Sequence, residues 1–487
     1  MYDTIFSRSF NKHEQKKLKY GAFFSCFLIV LSICTVFKPY LGPIHDLNLK
    51  LSVGGVGIRM LMLNDTTSSS KIARVEDIVS ETAVNDTIKT PQMEEEEEEP
   101  EPEPIVCTSE SRTDFCEARG DIRVQGSSSS IYVVSPDTKN LSGNTSWSVR
   151  PYARKEDLYA MSHVREWSVK PLIKGSQQVP QCSQNHSIPA VLFSTSGYAG
   201  NHFHDFTDII IPLFLTSRKF NGEVQFLITD KRDWWISKYQ VYLKKLSNYE
   251  PLDIDSEKDQ VHCFPSVIVG LKRYQKELSI DPLKYSYSMR DFRDFLRSSY
   301  SLKRVKAIRL RDGGHHRKQP RLMIVTRKRT RSFTNTDQIV RMAKNMGFKV
   351  VTMEGGGNLS RFAEAVNSCD VLMGVHGAGL TNIVFLPENA IFIQIVPYGG
   401  VDWLATNDFG EPSKDMNLKY LEYNIKLEES TLIQQYPLDH EAIKDPPSIW
   451  KQGWEAFKTM YLDKQNVNLD VIRFRPTLEK ALELLHQ

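Results

Sequence analysis

Three short stretches of this 487-residue chain carry the residue types that could do chemistry. In the first, GNHFHDFTDIIIP, His204 and Asp208 are four residues apart in a segment whose spacing predicts a helix, so their side chains share one face. A histidine beside a carboxylate can act as a general base, and Asp205 is the substitute candidate for that role. Asn201 and His202 precede the pair and flank it. The alternative is that the histidine and the carboxylate only cap the helix.

The second stretch, TRKRTRSFTN, places arginines at the end of an apolar strand candidate. Arg327 ends the strand, Arg331 follows in the loop or the first helical turn, and Asn335 closes the stretch. Guanidinium groups suit bidentate contacts with phosphate. Each of these arginines could instead belong to a solvated basic loop.

The third stretch, VLMGVHGAGLTNIVFLP, is an apolar run that stops at His376 and is followed by a turn of small residues, Gly377, Ala378 and Gly379. The turn ends a strand candidate and opens a helix candidate, so unpaired backbone N–H groups are expected to point outward at the positive end of a helix. Small side chains would let a diphosphate approach that backbone, although the turn is neither a GxGxxG nor a Walker sequence. Together with the arginines, the turn predicts an anion site.

Metal ligands are not predicted. Asp253 and Asp255 form a D-x-D pair that could hold a divalent cation, but polar and charged neighbours favour a solvated loop. No CxxC or Cys/His cluster suggests zinc.

The elements that must position these residues alternate between strand and helix in two blocks. Buried-strand candidates in the first block are AVLFSTSG, QFLITD and PSVIVG, and in the second RLMIVTR, FKVVTM, VLMGVH and AIFIQIVP. Apolar strands alternating with amphipathic helices predict parallel sheets covered on both faces. We therefore expect two doubly wound, Rossmann-like α/β domains facing a cleft, at 105–305 and 306–430, with helices of 431–487 packing back across both. Ligands of such sheets bind at the carboxyl ends of the strands.

The N-terminal region predicts a membrane anchor. Residues 1–19 are rich in Lys and Arg and precede an uncharged stretch at 20–37, which is close to the minimum length for a span. The basic flank places the N-terminus in the cytosol and the rest of the chain in a lumen. A cleaved signal peptide is the rival interpretation, but the Phe37-Lys38-Pro39 sequence is a poor cleavage site. Residues 38–104, which end in a run of Glu and Pro, predict a disordered stem.

Lumenal residues would meet glycosylation and an oxidising environment. Sequons begin at Asn64, Asn85, Asn140, Asn144, Asn185 and Asn358. Of the five cysteines beyond the anchor, Cys107 with Cys116 and Cys182 with Cys263 are the expected disulfide pairs, and Cys369 is expected to be a buried thiol. The net charge of +3 is too weak to indicate a nucleic-acid partner.

Taken together, NHFHDFTD, TRKRTR and GVHGAGLTNIVFLP resemble glycosyltransferase family 61. The residues that match the motifs of that family are Asn201, Phe203, His204, Phe206 and Asp208, then Thr326, Arg327, Arg331 and Asn335, then His376 to Leu380. The anchor, the acidic stem and VRPYARK (149–155) are most similar to the plant members that decorate xylan.

This resemblance implies an inverting transferase of GT-B fold that uses a nucleotide sugar, commonly UDP-linked. It implies a Golgi membrane protein of type II that transfers xylose or arabinofuranose to xylan. The first domain, with Asn201 and His202, would face the acceptor, and the arginines and the HGAG turn would bind the diphosphate without an essential metal. The alternatives are a family member that glycosylates proteins or N-glycans, and a non-catalytic partner that binds sugar. The donor sugar and the oligomeric state stay open.

Overall fold

The computed structural model describes residues 105–136, 146–310, 318–355 and 357–487. The predicted tail, anchor and stem, and the sequons at Asn64, Asn85, Asn140 and Asn144, lie outside the described residues. Across the ranges that are described, no helix has the length and apolar character needed to cross a bilayer.

The first sheet contains ten strands from the described part of residues 105–305. They are β1 (Ile105–Ser109), β2 (Asp114–Gln125), β3 (Ser130–Ser135), β4 (Trp147–Val149), β5 (Trp167–Ile173), β6 (Gln184–Asn185), β7 (Ala190–Ser194), β8 (Gln225–Thr229), β9 (Leu252–Asp253) and β10 (Val261–Val269). The main path of the sheet runs β4-β5-β3-β2-β10-β7-β8-β9, with β1 paired to β2 and β6 paired to β10.

Parallel pairing is continuous in only one half of this sheet, which corrects the expectation of a doubly wound first domain. In the other half, β3 and β5 are the one parallel pair among the described strands, and their other neighbours are antiparallel. β10, β7, β8 and β9 are parallel neighbours, but β2 runs antiparallel to β10, to β1 and to β3. The physical reason lies in the connection between β2 and β3. Residues 126–129 form a connection far too short for the crossover that a parallel pair requires.

The second sheet confirms the expected parallel architecture. Its strands are β11 (Arg321–Thr326), β12 (Lys349–Glu354), β13 (Val371–Val375), β14 (Ile391–Val396) and β15 (Lys419–Asn424). Their order is β12-β11-β13-β14-β15, and every pair is parallel. β13 and β14 are buried along their whole length, as continuous apolar runs predict.

The described residues also form thirteen α-helices. They are α1 (Leu158–Ser162), α2 (His202–His204), α3 (Ile211–Ser217), α4 (Asp233–Leu246), α5 (Met289–Ser299), α6 (Thr336–Asn345), α7 (Leu359–Asn367), α8 (Asp402–Ala405), α9 (Glu411–Asp415), α10 (Glu441–Lys444), α11 (Pro446–Trp450), α12 (Trp454–Phe457) and α13 (Val471–His486). Turns of 3-10 helix lie at Arg218–Phe220, Ala378–Phe385, Leu427–Glu429 and Thr431–Gln434, and π-helical turns at Asp205–Ile210, Thr406–Gly410 and Lys458–Asp463.

Each sheet has a point at which the direction of winding reverses. In the second sheet this point lies between β11 and β13, because β12 lies on one side of β11 and β14 on the other side of β13. In the parallel half of the first sheet it lies between β7 and β10. The segments that leave these four strands at their carboxyl ends contain all three chemistry-bearing stretches, which is where ligands of open α/β sheets bind.

One apolar core joins the two sheets. Phe193 and Phe206 from the first half belong to the same buried cluster as Val325, Phe392 and Phe409 from the second. The described residues accordingly form one compact unit, and the expected cleft is confined to the edge where the strands end.

The last helix belongs to the second sheet rather than to both halves. The buried side chains of α13 share the core of β11, β13 and β14, and the helix packs against α6, β14 and β15. The expectation that the C-terminal helices return across both domains is therefore wrong for α13. Its apolar stripe is covered by one face of one sheet.

Both expected disulfides are present. Cys107 lies opposite Cys116 on the paired strands β1 and β2, and Cys182 is bonded to Cys263 on β10. Cys369 is a buried free thiol, as predicted. The second bond ties the segment before β6 to the start of β10 and closes a loop of 81 residues, which restricts the unfolded chain.

Candidate active site

The two arginines that follow β11 pack against the backbone of the small-residue turn. A Cβ atom on Gly377 would lie 2.7 Å from Nη1 of Arg327 and 2.9 Å from Nη1 of Arg331. Gly377 also has φ 145°, a conformation that L side chains rarely adopt. Glycine at this position therefore lets both guanidinium groups reach the backbone after β13.

Neither guanidinium forms an ion pair with a carboxylate of the described residues, although Asp463 is near enough to favour the charged form of both. Arg327 Nε donates to Thr330 O at 2.8 Å, and Arg331 Nη1 donates to His376 O at 3.0 Å. Arg331 Nε is buried and has no hydrogen-bond partner within the described ranges. Burial, with the neighbouring Arg327, lowers the pKa of Arg331 to about 9, so the group stays charged at neutral pH. Two partly buried positive charges that form no ion pair suit a ligand with two negative charges.

The loop at 327–335, which carries Arg327 and Arg331, is held in place by the segment before α13. Arg331 has φ 54°, unusual for a residue with a side chain, and its N–H donates to Gln465 O at 2.8 Å. Asn335 donates from Nδ2 to Leu469 O at 2.8 Å and accepts from Leu469 N at 3.1 Å. The structure thus uses Asn335, predicted as a nucleotide-sugar ligand, to fasten the loop. The segment at 465–469 was not recognised from the sequence because its partners lie more than 130 residues away.

His376 occupies the end of β13 beneath the arginines. Its ring is buried, and Nδ1 has no hydrogen-bond partner in the described part of the chain. Burial, Arg331 and Arg327 together hold the pKa of His376 well below its ordinary value, so the imidazole is neutral at physiological pH. Its Nε2 lies 4.0 Å from Oδ2 of Asp408.

Asp408 is a candidate site residue, close to His376, that the sequence alone does not indicate. It lies in the π-helical turn Thr406–Gly410, an element often found at functional sites. Its side chain is 16% exposed, and burial together with Glu277 raises the pKa of the carboxyl well above its ordinary value. No motif or spacing in the sequence distinguishes this aspartate from the many surface acids.

His204 and Asp208 form the expected pair on the other side of the site. His204 Nδ1 donates to Asp208 Oδ2 at 2.9 Å, which leaves Nε2 as the free ring nitrogen. Asp208 is fully buried and also accepts from Tyr152 Oη at 2.9 Å, Arg154 Nη1 at 3.1 Å and Arg273 Nη1 at 2.9 Å. Although burial alone would raise it, Arg273 and Arg154 hold the pKa of Asp208 well below its usual range. A permanently charged carboxylate therefore orients the histidine.

The helix that carries this pair is locally widened. The short helix α2 passes into the π-helical turn Asp205–Ile210, and α3 begins at Ile211 with Pro212 in its first turn. Pro212 lacks the N–H that would continue the regular helix ladder, which accounts for the irregularity. The widened turn buries Asp208 and leaves the His204 side chain 15% exposed.

Asp205, the substitute candidate for the base, is fully engaged in holding α4. Its carboxylate is completely buried and accepts from Trp235 Nε1 at 2.8 Å, Lys238 Nζ at 2.9 Å and Tyr239 Oη at 2.6 Å. No lone pair points to an open space where a substrate proton could be taken. The geometry therefore favours His204 as the base.

A cavity of about 980 Å³ lies between the two halves at the strand ends, a volume suited to a nucleotide sugar. Its lining includes Asn201, His202, Lys238, Arg327, Ala378, Gly379 and Asn382. His202 Nε2 donates to Asn382 Oδ1 at 3.2 Å and so joins the two halves. Burial and Lys238 lower the pKa of His202 to about 4, so this ring is neutral.

His204 does not line this cavity. It is two residues beyond His202 on the helix and so faces a different side. Its ring neighbours Phe203 at 5.5 Å, Phe203 neighbours Phe409 at 5.6 Å, and Phe409 neighbours His376 at 5.6 Å. Two phenylalanine rings therefore link the candidate base to the end of β13.

The two sequons inside the described ranges are accessible. Asn185 on β6 is exposed. Asn358 is also exposed, although its side chain accepts from Arg361 N at 3.0 Å and caps α7.

The D-x-D pair has a structural role. Asp255 accepts from Asp230 N at 2.7 Å and from Thr229 Oγ1 at 2.9 Å, and so fastens the end of β8. Elsewhere in the described ranges, Asp121, Cys182 and Cys263 bring three ligand-type side chains together. The two sulfur atoms of that group are bonded to each other and are not available as ligands.

Comparison with known proteins assigns the chain to a family. The family model Glycosyltransferase 61 matches residues 203–393. Alpha-1,3-arabinosyltransferase XAT3 of Oryza sativa subsp. japonica is 48% identical over 78% of this chain and 65% of its own length. Beta-1,2-xylosyltransferase XYXT1 of the same species is 44% identical over 77% of this chain and 83% of its own length. Xylan glycosyltransferase MUCI21 of Arabidopsis thaliana is 36% identical over 85% of this chain and 84% of its own length.

The chain belongs to glycosyltransferase family 61. The resemblance seen in the three sequence stretches is thereby confirmed, and two of those stretches lie within the matched residues in full. The alignment spans slightly less than two thirds of the arabinosyltransferase XAT3.

Proposed function

We propose that this chain is an inverting glycosyltransferase of GT-B type that moves a pentose from a UDP-sugar to the xylan backbone. The observation that carries the proposal is the pair of partly buried guanidinium groups of Arg327 and Arg331, which rest on Gly377 and form no ion pair with a carboxylate of the described residues. Such a pair fits a diphosphate that must leave with its negative charge, and needs no metal to do so. The relatives named as xylan, xylosyl and arabinosyl transferases support the substrate class.

The reaction is a direct displacement. His204 Nε2 removes the proton from an acceptor hydroxyl, and the hydroxyl oxygen forms the new bond to the anomeric carbon of the donor sugar. The bond between that carbon and the diphosphate oxygen breaks, and UDP leaves onto the arginine pair. Asp208 holds the His204 ring and stabilises the imidazolium that forms, because its own charge is maintained by Arg154 and Arg273.

Xylose is the preferred donor sugar of this proposal and arabinofuranose the next, and relatives at comparable identity are named for the transfer of each. The site of action is the Golgi membrane, with the protein anchored as a type II chain by residues 20–37 and the described residues in the lumen. The basic flank of that stretch supports this topology.

A panel of UDP-pentoses tests the proposal. The full-length protein is incubated with each donor and a xylo-oligosaccharide, UDP release is followed, and the linkage of the product is read by NMR. His204→Ala is expected to lower kcat by roughly 10²- to 10⁴-fold, the contribution of a general base.

His186→Ala is a matched control, since His186 packs against His262 and Phe264 near the start of β10. That end of the strand is opposite to the carboxyl end, where the candidate site lies. Near-normal turnover of His204→Ala would refute the base assignment. Absence of UDP release with every pentose donor would refute the proposed activity.

A further inference from the structure

A row of aromatic rings runs from the protein surface to the candidate base. The ring of Tyr159 lies 6.0 Å from that of Tyr198, and the two planes are 26° apart. Tyr198 in turn lies 4.5 Å from the ring of His204. Three consecutive rings therefore form a path that ends on the group proposed to remove the acceptor proton.

The outer end of this row is unusually exposed. Tyr159 is 67% exposed, and Leu158 beside it on α1 is 83% exposed. Large apolar side chains that stand together in solvent often mark a binding surface. Tyr198 is half-buried, so the row slopes from solvent into the site.

Hydrogen bonds hold the inner ring and the helix that carries the outer ring. Asp157 Oδ1 accepts from Tyr198 Oη at 3.2 Å and from Ala160 N at 3.0 Å, which fixes the inner tyrosine and the start of α1 together. His163 Nδ1 lies 2.8 Å from the carbonyl oxygen of Tyr159 and its ring packs against that tyrosine. Tyr198 therefore has little side-chain conformational entropy left to lose when a ligand covers its ring.

We propose that Tyr159 and Tyr198 form the acceptor subsite, on which pyranose rings of a xylo-oligosaccharide stack so that one hydroxyl reaches His204. This assignment rests on the proposed function. Aromatic faces carry partial negative charge and attract the weakly positive C–H groups on the flat face of a pyranose. A neutral sugar chain offers no charge for the protein to pair with, so aromatic faces act together with hydrogen bonds to hold it.

Binding of xylohexaose to the full-length protein, measured by titration calorimetry with UDP present, tests the subsite without requiring turnover. Tyr159→Ala is expected to weaken binding by roughly 3- to 10-fold, the value of one aromatic stacking contact. Tyr159→Phe keeps the ring and should retain most of the affinity. Tyr249→Ala is the matched control, because Tyr249 is an exposed tyrosine in the turn after α4 whose hydroxyl donates to Glu223.

Several outcomes would overturn the proposal. They are wild-type xylohexaose affinity in Tyr159→Ala, equal losses in Tyr159→Phe and Tyr159→Ala, or an equal loss in Tyr249→Ala. The affinity of each variant for UDP alone shows whether the fold and the donor site are intact. Failure of the proposed function is distinguishable, since a protein that binds xylohexaose through Tyr159 but releases no UDP retains the subsite and loses the activity.

Discussion

Gly377→Ala tests the donor site most directly, because the added methyl group meets only the ends of flexible side chains. The new Cβ would lie 2.7 Å from Arg327 Nη1 and 2.9 Å from Arg331 Nη1. Both distances are too short, so the guanidinium groups must move away from the turn. The fold itself should survive, at a cost of about 1–3 kcal/mol for a side chain at φ 145°.

The loss of UDP affinity follows from the displaced hydrogen bonds. A hydrogen bond to a charged group contributes about 1.5–3 kcal/mol, so losing one such contact weakens binding roughly 10- to 150-fold. Titration calorimetry with UDP measures this change, and thermal unfolding of the same sample measures the cost to stability.

Gly347→Ala separates the loss of UDP affinity from the loss of stability. Gly347 also has a positive φ, of 94°, but a Cβ there would have no neighbour within 4 Å. This control should lose stability and keep its affinity for UDP. Unchanged UDP affinity in Gly377→Ala, or an equal loss in Gly347→Ala, would refute the assignment of the diphosphate to the arginine pair.

Two further substitutions address the buried carboxylates. Asp208→Asn leaves Arg154 and Arg273 short of one buried partner and should cost about 3 kcal/mol, the lower end for such pairs, because Glu277 still contacts both. The pKa of Asp208 is depressed on folding, so its contribution to the free energy of unfolding is complete above the unfolded pKa of about 4 and is lost as pH falls further. The difference in unfolding free energy between the wild-type protein and Asp208→Asn, measured in urea, should therefore be smaller at pH 3 than at pH 7. Asp408→Asn should raise Tm at pH 7, because burial and Glu277 raise the pKa of that carboxyl and its charged form opposes folding as pH rises. A lower Tm for Asp408→Asn, or no pH dependence in the Asp208 comparison, would contradict these assignments.

Much of the second half of the chain was predictable from its residues. The strands β11, β13 and β14 are continuous apolar runs and the helices between the strands have amphipathic spacing, so the local pattern and the final structure agree. The arginine pair and the HGAG turn were brought together because parallel strands end at one edge of a sheet. This reasoning needs only the order of the elements.

The first half was less predictable. Its antiparallel strands lie in the stretch before β7, where no strand is predicted from the sequence. The pairing of β2 with β10 joins residues more than 130 positions apart. Likewise, the sequence of VRPYARK indicates a family resemblance but no contact with another segment. Its Tyr152 and Arg154 turn out to hold Asp208, a contact across more than 50 residues.

By itself, the sequence determined the three stretches that could do chemistry, the local disulfide between Cys107 and Cys116 and the parallel arrangement of the second sheet, because these depend on residue type and local spacing. Only the tertiary structure decided between Asp205 and His204, since one carboxylate is filled by hydrogen bonds from α4 and the other group keeps a free nitrogen. It alone revealed Asp408 and the row from Tyr159 to His204. Each of these depends on contacts between segments distant along the chain, and burial and charge at such contacts are properties of the folded molecule.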